Sequence, residues 1–503
     1  MLQRILVGGC LALCAAAIQT AYAADSVNFE VTLAANASER PADGRLFVFL
    51  SQRDQGEPRL GPNWFRPEPF VGLDVRGFAP GEQRRIESSA DAFPEPLAQL
   101  PPGHYRAQAL FDRDLDHHHP GRAAGNLYSD VLEIDIPESG DFRSSFVLTH
   151  VVEARAFPAS ETVEEVQLRS EVLSRFHGRD VQDYAGVALP ESYASEPERR
   201  YPVIYIIPGF GGSHRDAARY AAKRHTLAEG EVEFIRVVLS GDCKWGHHVY
   251  ADSATNGPRA TALVTEMIPE IERRYRTIST PQARFVTGHS SGGWSSLWLQ
   301  VNYPDVFGGV WSTAPDPVDF RDFQRVNLYA EPPLSLYVDE ADARRPIARR
   351  GGEASLYFDS FGQMDDVIKR GGQLRSFEAV FSPRGADGEP VRLWDRTTGR
   401  IDPAVARTWE TYDIRLKLER EWPTLGPKLA GKLHIWTGEL DTFFLEGAVK
   451  LLAQSLEQLG SDAQVTVVPG KDHSSLLDAE LARSIRQQMS AKFRTSSEPA
   501  ATK

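Results

Sequence analysis

The sequence has 503 residues, of which 41% are hydrophobic and 25% charged, and its formal net charge is -13. This length exceeds the usual size of one hydrophobic core, so two domains are expected. The acidic balance argues against nucleic acid and anionic membrane surfaces as partners, because both carry negative charge.

The first 23 residues have the features of an export signal. Arg4 precedes an apolar run over residues 5–18, and the sequence AYA at 21–23 fits the small-x-small cleavage pattern. The apolar run is short for a membrane span. We therefore predict a cleaved signal peptide over residues 1–23 and a periplasmic or secreted protein. The alternative is a lipoprotein signal that uses Cys10.

Three cysteines are present, and two of them, Cys10 and Cys14, fall in the signal segment. Cys243 is left alone, so the exported chain is expected to lack an internal disulfide and to depend on its cores. No other run of the sequence is long and apolar enough to cross a membrane.

Residues 25–150 carry repeated strand patterns. In residues 27–33 apolar and polar side chains alternate, which is typical of a half-buried strand. Further strand-like runs, separated by turns rich in proline and glycine, lie at residues 44–51, 103–111, 128–136 and 144–152. We therefore predict an all-β, sandwich-like N-terminal domain over residues 25–150.

From residue 160 onward, strand and helix patterns alternate. Apolar strand-like runs lie at residues 200–212, 233–240, 283–293, 308–314, 432–441 and 463–473. Helical spacing of apolar side chains occurs between them, at residues 257–275, 294–301, 442–460 and 475–493. This alternation predicts an α/β fold over residues 160–493, with a doubly wound, mainly parallel sheet.

The alternation is lost between about residues 315 and 430. This stretch is charged and rich in aromatic residues, and a segment that long rarely lacks structure inside a compact domain. We expect an insertion with its own helices over one end of the sheet. It is either surface elaboration or a lid that shapes the substrate pocket. Residues 494–503 are polar and are predicted to form a disordered tail.

The sequence GHSSGG at residues 288–293 joins an apolar strand to an amphipathic helix. In a strand–turn–helix elbow, small residues are needed two before and two after a nucleophilic serine. Gly288 and Gly292 meet this requirement for Ser290, whereas Ser291 has His289 two residues before it. We therefore predict Ser290 as a nucleophile. The alternative is a polar turn without a catalytic role.

A nucleophilic serine needs a base, and the base needs an acid that orients it. Asp441 and His473 each follow a predicted strand, and the chain order Ser290, Asp441, His473 is the one this arrangement uses. His473 is predicted to accept the serine proton and Asp441 to hold the imidazole. The alternative acids are Asp472, Glu439 and Asp316.

Two backbone N–H groups are expected to stabilise the oxyanion. Ser291 follows the nucleophile at the start of a helix, so its N–H faces the developing charge. The second donor is expected in the glycine-rich loop 209–212, where glycines allow close approach of the backbone. Phe210 is favoured for this role, and Gly211 is the alternative.

Four motifs together resemble the Putative esterase family of α/β-hydrolases, which includes esterase D-like, feruloyl-esterase-like and enterochelin-esterase-like enzymes. They are RRYPVIYIIPGFGG at 199–212, GHSSGGW at 288–294, GELDTFFLEGAVKLL at 438–452 and GKDHSSLL at 470–477. The resemblance implies a serine hydrolase with Ser290, Asp441 and His473 as its triad and no metal or cofactor. The family commonly has His-Gly where this sequence has Pro208 before Gly209.

The loop at residues 243–258 lies between a strand and a helix, at the same predicted sheet end as Ser290. Loops at this end often form binding sites. We predict that the loop lines the substrate pocket through Trp245, His247, Asp252 and Asn256. The alternative is a polar helix entry capped by Asn256.

Residues 111–126 contain three alternating aspartates and three consecutive histidines. Alternating aspartates occur in calcium loops, and histidines bind transition metals. However, His117 stands where an EF-type loop needs glycine, and three adjacent histidines on one turn cannot easily bind one ion. We therefore predict a solvated hairpin tip and no metal site.

These features predict an exported serine esterase that acts on a small-molecule ester through an acyl-serine, with no cofactor. Three alternatives remain: an acyltransferase of the same fold, a peptidase, and a non-catalytic binding module with a hydrolase-like domain. The N-terminal region shows no propeller-like repeats, which argues against a peptidase.

Overall fold

The computed structural model describes residues 26–222 and 227–497. The predicted signal peptide and residues 498–503 of the predicted tail lie outside these residues. Residues 494–497, which were expected in the disordered tail, continue the last helix instead. The hydroxyls of Thr495 and Ser496 donate to carbonyls four residues earlier, so these polar side chains have partners within the helix.

Nine strands form an N-terminal sheet. They are β1 (Ser26–Leu33), β2 (Ala42–Ser51), β3 (Phe70–Phe78), β4 (Gln83–Ile86), β5 (Asp91–Phe93), β6 (Gly103–Asp112), β7 (Leu127–Ser129), β8 (Leu132–Ile136) and β9 (Asp141–Val151). Eight of them follow the order β4-β1-β9-β7-β6-β2-β3-β5, and β8 pairs with β6. Hydrogen bonds therefore join all nine strands in one sheet with a branch at β8, and the division into two facing sheets stays a prediction.

Strand β2 is buried on both faces. Leu46, Val48 and Leu50 lie in a core formed with side chains of β1, β3, β6 and β9. Phe47 and Phe49, on the opposite face, join a core formed mostly by residues of the C-terminal part of the chain. The N-terminal sheet is thus packed against the rest of the protein through one of its faces.

The C-terminal part contains a second sheet of eight strands and three short hairpins. The strands are β10 (Val163–Arg169), β11 (Gln182–Ala188), β12 (Val203–Ile207), β13 (Ile235–Leu239), β14 (Asp242–Cys243), β15 (Gly246–His247), β16 (Asp252–Ser253), β17 (Gly257–Pro258), β18 (Arg284–His289), β19 (Gly309–Thr313), β20 (Pro346–Arg350), β21 (Glu353–Tyr357), β22 (Leu433–Gly438) and β23 (Gln464–Val468). The sheet order is β10-β11-β13-β12-β18-β19-β22-β23. Six of these strands are parallel, which confirms the mainly parallel sheet.

The helices are α1 (Glu171–His177), α2 (Ala217–Ala222), α3 (Arg259–Ala262), α4 (Ile268–Arg274), α5 (Ser291–Asn302), α6 (Phe358–Ile368), α7 (Gln373–Phe381), α8 (Pro403–Trp409), α9 (Ile414–Leu429), α10 (Glu446–Gln458) and α11 (Ala479–Ser497). On β12, Tyr205 faces the core that includes α5, and Ile206 faces the core that includes α11. Both faces of the second sheet are therefore covered, as a continuous apolar strand requires.

Between β19 and β22 the chain forms the hairpin β20–β21 and the helices α6 to α9. This is the stretch where an insertion was expected. Helix α6 packs on the N-terminal sheet through Arg45, whose guanidinium lies 2.8 Å from Asp74 and 2.6 Å from Asp91. Arg45 also donates to the carbonyl of Val367 at 2.9 Å. Asp74 and Asp91 belong to the same sheet as Arg45 and balance the charge of its buried guanidinium, and the bond to Val367 ties α6 to that sheet.

Candidate active site

Ser290 lies at a sharp turn between β18 and α5. Its φ of 61° and ψ of -126° are unusual for a residue with a side chain. Such a conformation costs on the order of 1–3 kcal/mol and persists only where the surroundings hold it. The Ser290 N–H donates to the carbonyl of Thr313 at 3.0 Å, and its carbonyl accepts from Trp294 at 3.0 Å. The predicted strand–turn–helix around Ser290 is therefore present.

The two glycines that flank Ser290 are required by packing. A Cβ on Gly288 would lie 2.1 Å from the carbonyl oxygen of Gly292. A Cβ on Gly292 would lie 1.9 Å from the carbonyl oxygen of Ile207, at the end of β12. Both distances are too short for any side chain, so the spacing of the glycines follows from the tightness of this turn.

His473 and Asp441 form a hydrogen-bonded pair beside this turn. Nδ1 of His473 lies 2.8 Å from Oδ2 of Asp441, which is fully buried. The other carboxylate oxygen accepts from the Phe443 N–H at 2.8 Å. The rings of His473 and His289 are 4.6 Å apart between centroids, so the imidazole lies next to the residue that precedes Ser290. A carboxylate on Nδ1 leaves Nε2 free to exchange a proton.

The other three carboxylates have different partners. Asp472 accepts from two backbone N–H groups of the turn that follows it. Glu439 accepts from a backbone N–H at 3.0 Å in the loop before His473. Asp316 accepts from a serine hydroxyl at 2.6 Å. Among the described residues, Asp441 is the carboxylate that hydrogen bonds to His473.

Asp316 belongs to a buried polar cluster at the start of α5. The Ser291 hydroxyl donates to its Oδ2 at 2.6 Å, and the Gln373 amide lies 3.4 Å from the same oxygen. Burial raises the pKa of Asp316 to about 6, although both hydrogen bonds oppose that shift. The cluster fixes the side chain of Ser291, the residue whose N–H is a predicted oxyanion donor.

Replacing Asp316 by asparagine is expected to change how stability depends on pH. The folded-state pKa of about 6 lies above the ordinary 3.8, so unfolding releases a proton between these values and the wild type loses stability as the pH rises through them. Asparagine does not titrate, yet it can still accept the Ser291 hydroxyl. Between about pH 4.5 and pH 7, the free energy of unfolding, measured with urea, should fall by about 1–2 kcal/mol less in the variant than in the wild type. Equal losses in both proteins would contradict this expectation.

The glycine-rich loop predicted to supply the second oxyanion donor lies against the serine turn. Gly212 N–H donates to the Gly209 carbonyl at 3.0 Å, which closes a tight turn with Gly211 at a φ of 81°. A Cβ on Gly209 would lie 3.8 Å from the Ser290 Oγ. The backbone of this loop is therefore beside the predicted nucleophile. The donor assignments to Phe210 and Ser291 stay predictions.

His289 precedes Ser290 in the sequence, but its side chain contacts Thr313. Its Nδ1 lies 3.1 Å from the Thr313 hydroxyl. Burial, together with the charge of His473, lowers the pKa of His289 to about 4. A base is more effective when its pKa lies near the working pH, so His289 is a poor candidate for this role.

His247, predicted to line the substrate pocket, is almost fully buried beneath the glycine-rich loop. Its Nδ1 accepts from the Val249 N–H at 3.0 Å, so the ring proton is on Nε2, which lies 3.0 Å from the Pro208 carbonyl. Burial lowers the pKa of His247 to about 4, which keeps the ring neutral. These contacts support a role in holding the loop, and substrate contact by His247 stays a prediction.

The other three predicted pocket residues differ in burial and in their partners. Trp245 is buried against Cys243 and Ala379. Asn256 is also buried, and its side-chain oxygen lies 3.6 Å from the Cys243 sulfur. Asp252 is exposed and accepts from Thr261 at the start of the helix that follows. Burial leaves Trp245 and Asn256 little surface for a ligand, so the structure gives their predicted role no support.

The loop rich in aspartate and histidine contacts the C-terminal part of the chain. Asp116 forms an ion pair with Arg179 at 2.5 Å, and His118 lies 2.6 Å from Asp242. The tip is exposed at Leu115 and Asp116, as predicted, but His118 is mostly covered. Over residues 26–222 and 227–497, no group of three or more His, Cys, Asp or Glu side chains could hold a metal ion.

Two aromatic residues near the site were not predicted from the sequence. Trp64 lies 5.2 Å from Phe210 between ring centroids. The ring centroids of Phe65 and Phe443 are 6.3 Å apart, and the centroid of Phe443 lies 5.0 Å from that of His473. Both belong to a turn between β2 and β3. The sequence gives one signal for them. Two large aromatic residues stand side by side in a proline-rich turn, whereas a solvent-exposed turn is usually polar.

Comparison with known proteins supplies the family. A match to the family described as "Putative esterase" covers residues 182–498, which is more than half of the chain. The chain belongs to this family. The match begins at β11 and includes the Ser290 turn, Asp441 and His473. The resemblance drawn from the four sequence motifs is thereby confirmed.

Two curated relatives are named as esterases. Esterase Rv1288 of Mycobacterium tuberculosis (strain ATCC 25618 / H37Rv) is 25% identical over 218 residues, which are 42% of this chain and 44% of the relative. Esterase MT1326 of Mycobacterium tuberculosis (strain CDC 1551 / Oshkosh) matches to the same extent. The chain therefore spans less than half the length of the curated relatives it matches.

Solved structures show weaker similarity. A ferulic acid esterase is 16% identical with a TM-score of 0.40, covering 66% of this chain and 98% of that one. An S-formylglutathione hydrolase from Agrobacterium tumefaciens is 14% identical with a TM-score of 0.40, covering 68% and 98%. MPT51 of Mycobacterium tuberculosis is 12% identical with a TM-score of 0.41, covering 67% and 100%. At these scores the similarity carries no conclusion about chemistry.

In the described part of the chain, no helix has the length and apolar character of a membrane span.

Proposed function

We propose that this protein is an exported serine hydrolase that cleaves small-molecule carboxylic esters, with Ser290, His473 and Asp441 as its triad. The observation that carries the proposal is the 2.8 Å hydrogen bond between His473 and buried Asp441, beside the strained turn at Ser290. Membership of an esterase family and the names of the curated relatives support the same reaction class.

The reaction would proceed in two halves. Oγ of Ser290 attacks the ester carbonyl carbon while its proton passes to Nε2 of His473. Asp441, bound at Nδ1, stabilises the imidazolium that results. The intermediate's oxyanion accepts hydrogen bonds from the backbone N–H groups of Ser291 and Phe210.

Collapse of this intermediate breaks the bond to the alcohol, which leaves with the proton held by His473, and Ser290 remains acylated. Water then attacks the acyl carbon and gives a proton to His473. The second intermediate releases the carboxylic acid, and His473 returns its proton to Ser290. Every group needed for these steps is an amino-acid side chain or backbone N–H, so the proposal includes no cofactor.

The proposal extends to the finer architecture. An α/β-hydrolase domain with an insertion would carry the triad, and an all-β, sandwich-like domain would precede it. Two observations support the α/β-hydrolase domain. One is the strand order of the second sheet, and the other is that Ser290 directly follows β18, the fifth strand of this sheet in chain order. The export motif at residues 1–23 supports a periplasmic or secreted location.

Aryl esters of short and aromatic acids test the reaction class. We expect the purified protein to release the phenol from at least one of them, with saturation kinetics and without added metal. Added alcohols should leave the free acid as the main product, and the formation of new esters would indicate an acyltransferase instead. No turnover of any aryl ester would contradict the proposal.

A further inference from the structure

The loop Gly209–Gly212 has few side chains through which the rest of the protein can fix its backbone. Three of its four residues are glycine, the residue with the greatest backbone freedom. Phe210 carries the single side chain of the loop. The backbone N–H groups of an oxyanion hole act only when they are held in place before the reaction. The surroundings of the Phe210 ring therefore bear directly on the proposed chemistry.

Two residues of the N-terminal part hold this ring. The Trp64 ring lies 5.2 Å from it at an interplanar angle of 43°, and the His118 ring lies 5.2 Å from it at 62°. Trp64 also packs against Phe361 of α6, at 5.0 Å and 75°. Aromatic pairs in tilted or edge-to-face geometry contribute about 0.5–1.5 kcal/mol beyond their buried area. We call Trp64 and His118 the clamp.

The clamp residue His118 is itself fixed to the C-terminal part. Its N–H donates to Oδ1 of Asp242 at 3.0 Å, and its Nδ1 lies 2.6 Å from the same oxygen. Burial alone would raise the pKa of Asp242, but the bonds and charge of His118 bring it below the ordinary value. Nε2 of His118 lies 3.9 Å from the position that a Cβ on Gly211 would occupy. One ring nitrogen of His118 is therefore bonded to Asp242, and the other lies near the glycine-rich loop, both in the C-terminal part of the chain.

We propose that the N-terminal part of the chain takes part in catalysis, because Trp64 and His118 hold Phe210 and thereby position the loop that donates to the oxyanion. This inference rests on the proposed hydrolase function. Trp64 and His118 are positioning residues, since they act through Phe210. The loop rich in aspartate and histidine then has a role that needs no metal, which is to deliver His118 to the active site.

Kinetics of Trp64→Ala and His118→Ala test this role. Active sites are counted by covalent labelling with a fluorophosphonate, so that misfolded protein does not enter the rate. We expect kcat per labelled site to fall about 10- to 100-fold, with KM within about twofold of the wild type, because the transition state loses a positioned donor while the substrate keeps its contacts. Trp64→Phe keeps an aromatic ring and should recover most of the loss.

The matched control is Leu115→Ala, in the same loop as His118. Its side chain is 50% exposed, and the substitution should leave kcat unchanged. A kcat per labelled site within about twofold of the wild type for both clamp variants would overturn the proposal. Equal losses in the clamp variants and Leu115→Ala would also overturn it, because they would report a general disturbance of the loop.

Amide hydrogen exchange gives a second test that needs no activity. In the full chain, Trp64→Ala and His118→Ala should speed the exchange of the Gly212 amide, which donates to the Gly209 carbonyl and closes the loop, by at least about tenfold, while amides in β22 stay unchanged. Unchanged exchange in the loop would show that the clamp does not hold it. If the wild type neither hydrolyses esters nor reacts with the fluorophosphonate, the proposed function and the catalytic part of this inference both fail. Faster exchange in the loop would then be evidence for the contacts alone.

Discussion

Replacing Ser290 by alanine is expected to reduce ester hydrolysis by about 10⁴-fold or more, because the acyl-enzyme route is then closed. The folded state should persist, since alanine removes one hydroxyl oxygen and keeps the backbone bonds to Thr313 and Trp294. Initial rates with an aryl ester, together with the circular dichroism and melting temperature of the variant, check both statements.

The matched control is Ser291→Ala, one residue along the same turn. Its hydroxyl contacts Asp316 and Gln373, and its predicted catalytic group is the backbone N–H, which alanine keeps. We expect a loss of about tenfold or less, from the disturbed hydrogen bonds of the buried cluster. If Ser291→Ala were as inactive as Ser290→Ala, the choice of nucleophile from the glycine spacing would be wrong.

Replacing Asp441 by asparagine is expected to lower kcat by about 10³- to 10⁴-fold. An amide at this position cannot stabilise the imidazolium, and it favours the tautomer of His473 with the proton on the wrong nitrogen. The variant should still react slowly with a fluorophosphonate, because Ser290 and the oxyanion donors remain. Stopped-flow measurement of acylation, with the melting temperature as a check on folding, gives the size of the loss.

Asp316→Asn and Asp472→Asn are the controls for Asp441→Asn. Asp316 is also buried and follows a neighbouring strand of the sheet, and Asp472 precedes His473, but neither hydrogen bonds to the imidazole. Both variants should keep activity within about tenfold of the wild type. If Asp316→Asn lowered kcat as much as Asp441→Asn, the choice of Asp441 as the acid would be wrong.

The sequence was sufficient for the parts of the site that depend on local geometry. The glycine spacing around Ser290 is a short-range steric requirement, and the structure shows the contacts that impose it at Gly288 and Gly292. The pairing of Asp441 with His473 was predictable because parallel strands β22 and β23 are neighbours, so residues that follow them come together. Apolar runs such as β12 likewise indicated strands covered on both faces.

The parts that depend on long-range packing were not predictable. His247 and Asn256 are polar residues in a loop at the correct end of the sheet, and nothing local shows that the chain buries them. The contacts of Trp64 and His118 with Phe210 join residues far apart in sequence, and they form where the N-terminal part packs on the C-terminal part. Residues 494–497 have the composition of a polar tail, yet the hydroxyls of Thr495 and Ser496 bond within the helix.

The most direct test of the proposed function is to identify the residue that a fluorophosphonate modifies. The purified protein is treated with the reagent, digested, and analysed by tandem mass spectrometry. The proposed mechanism requires one adduct, on Ser290, which disappears in Ser290→Ala and forms more slowly when His473 is replaced by alanine. An adduct on any other residue, or an unmodified Ser290 in folded protein, would contradict it.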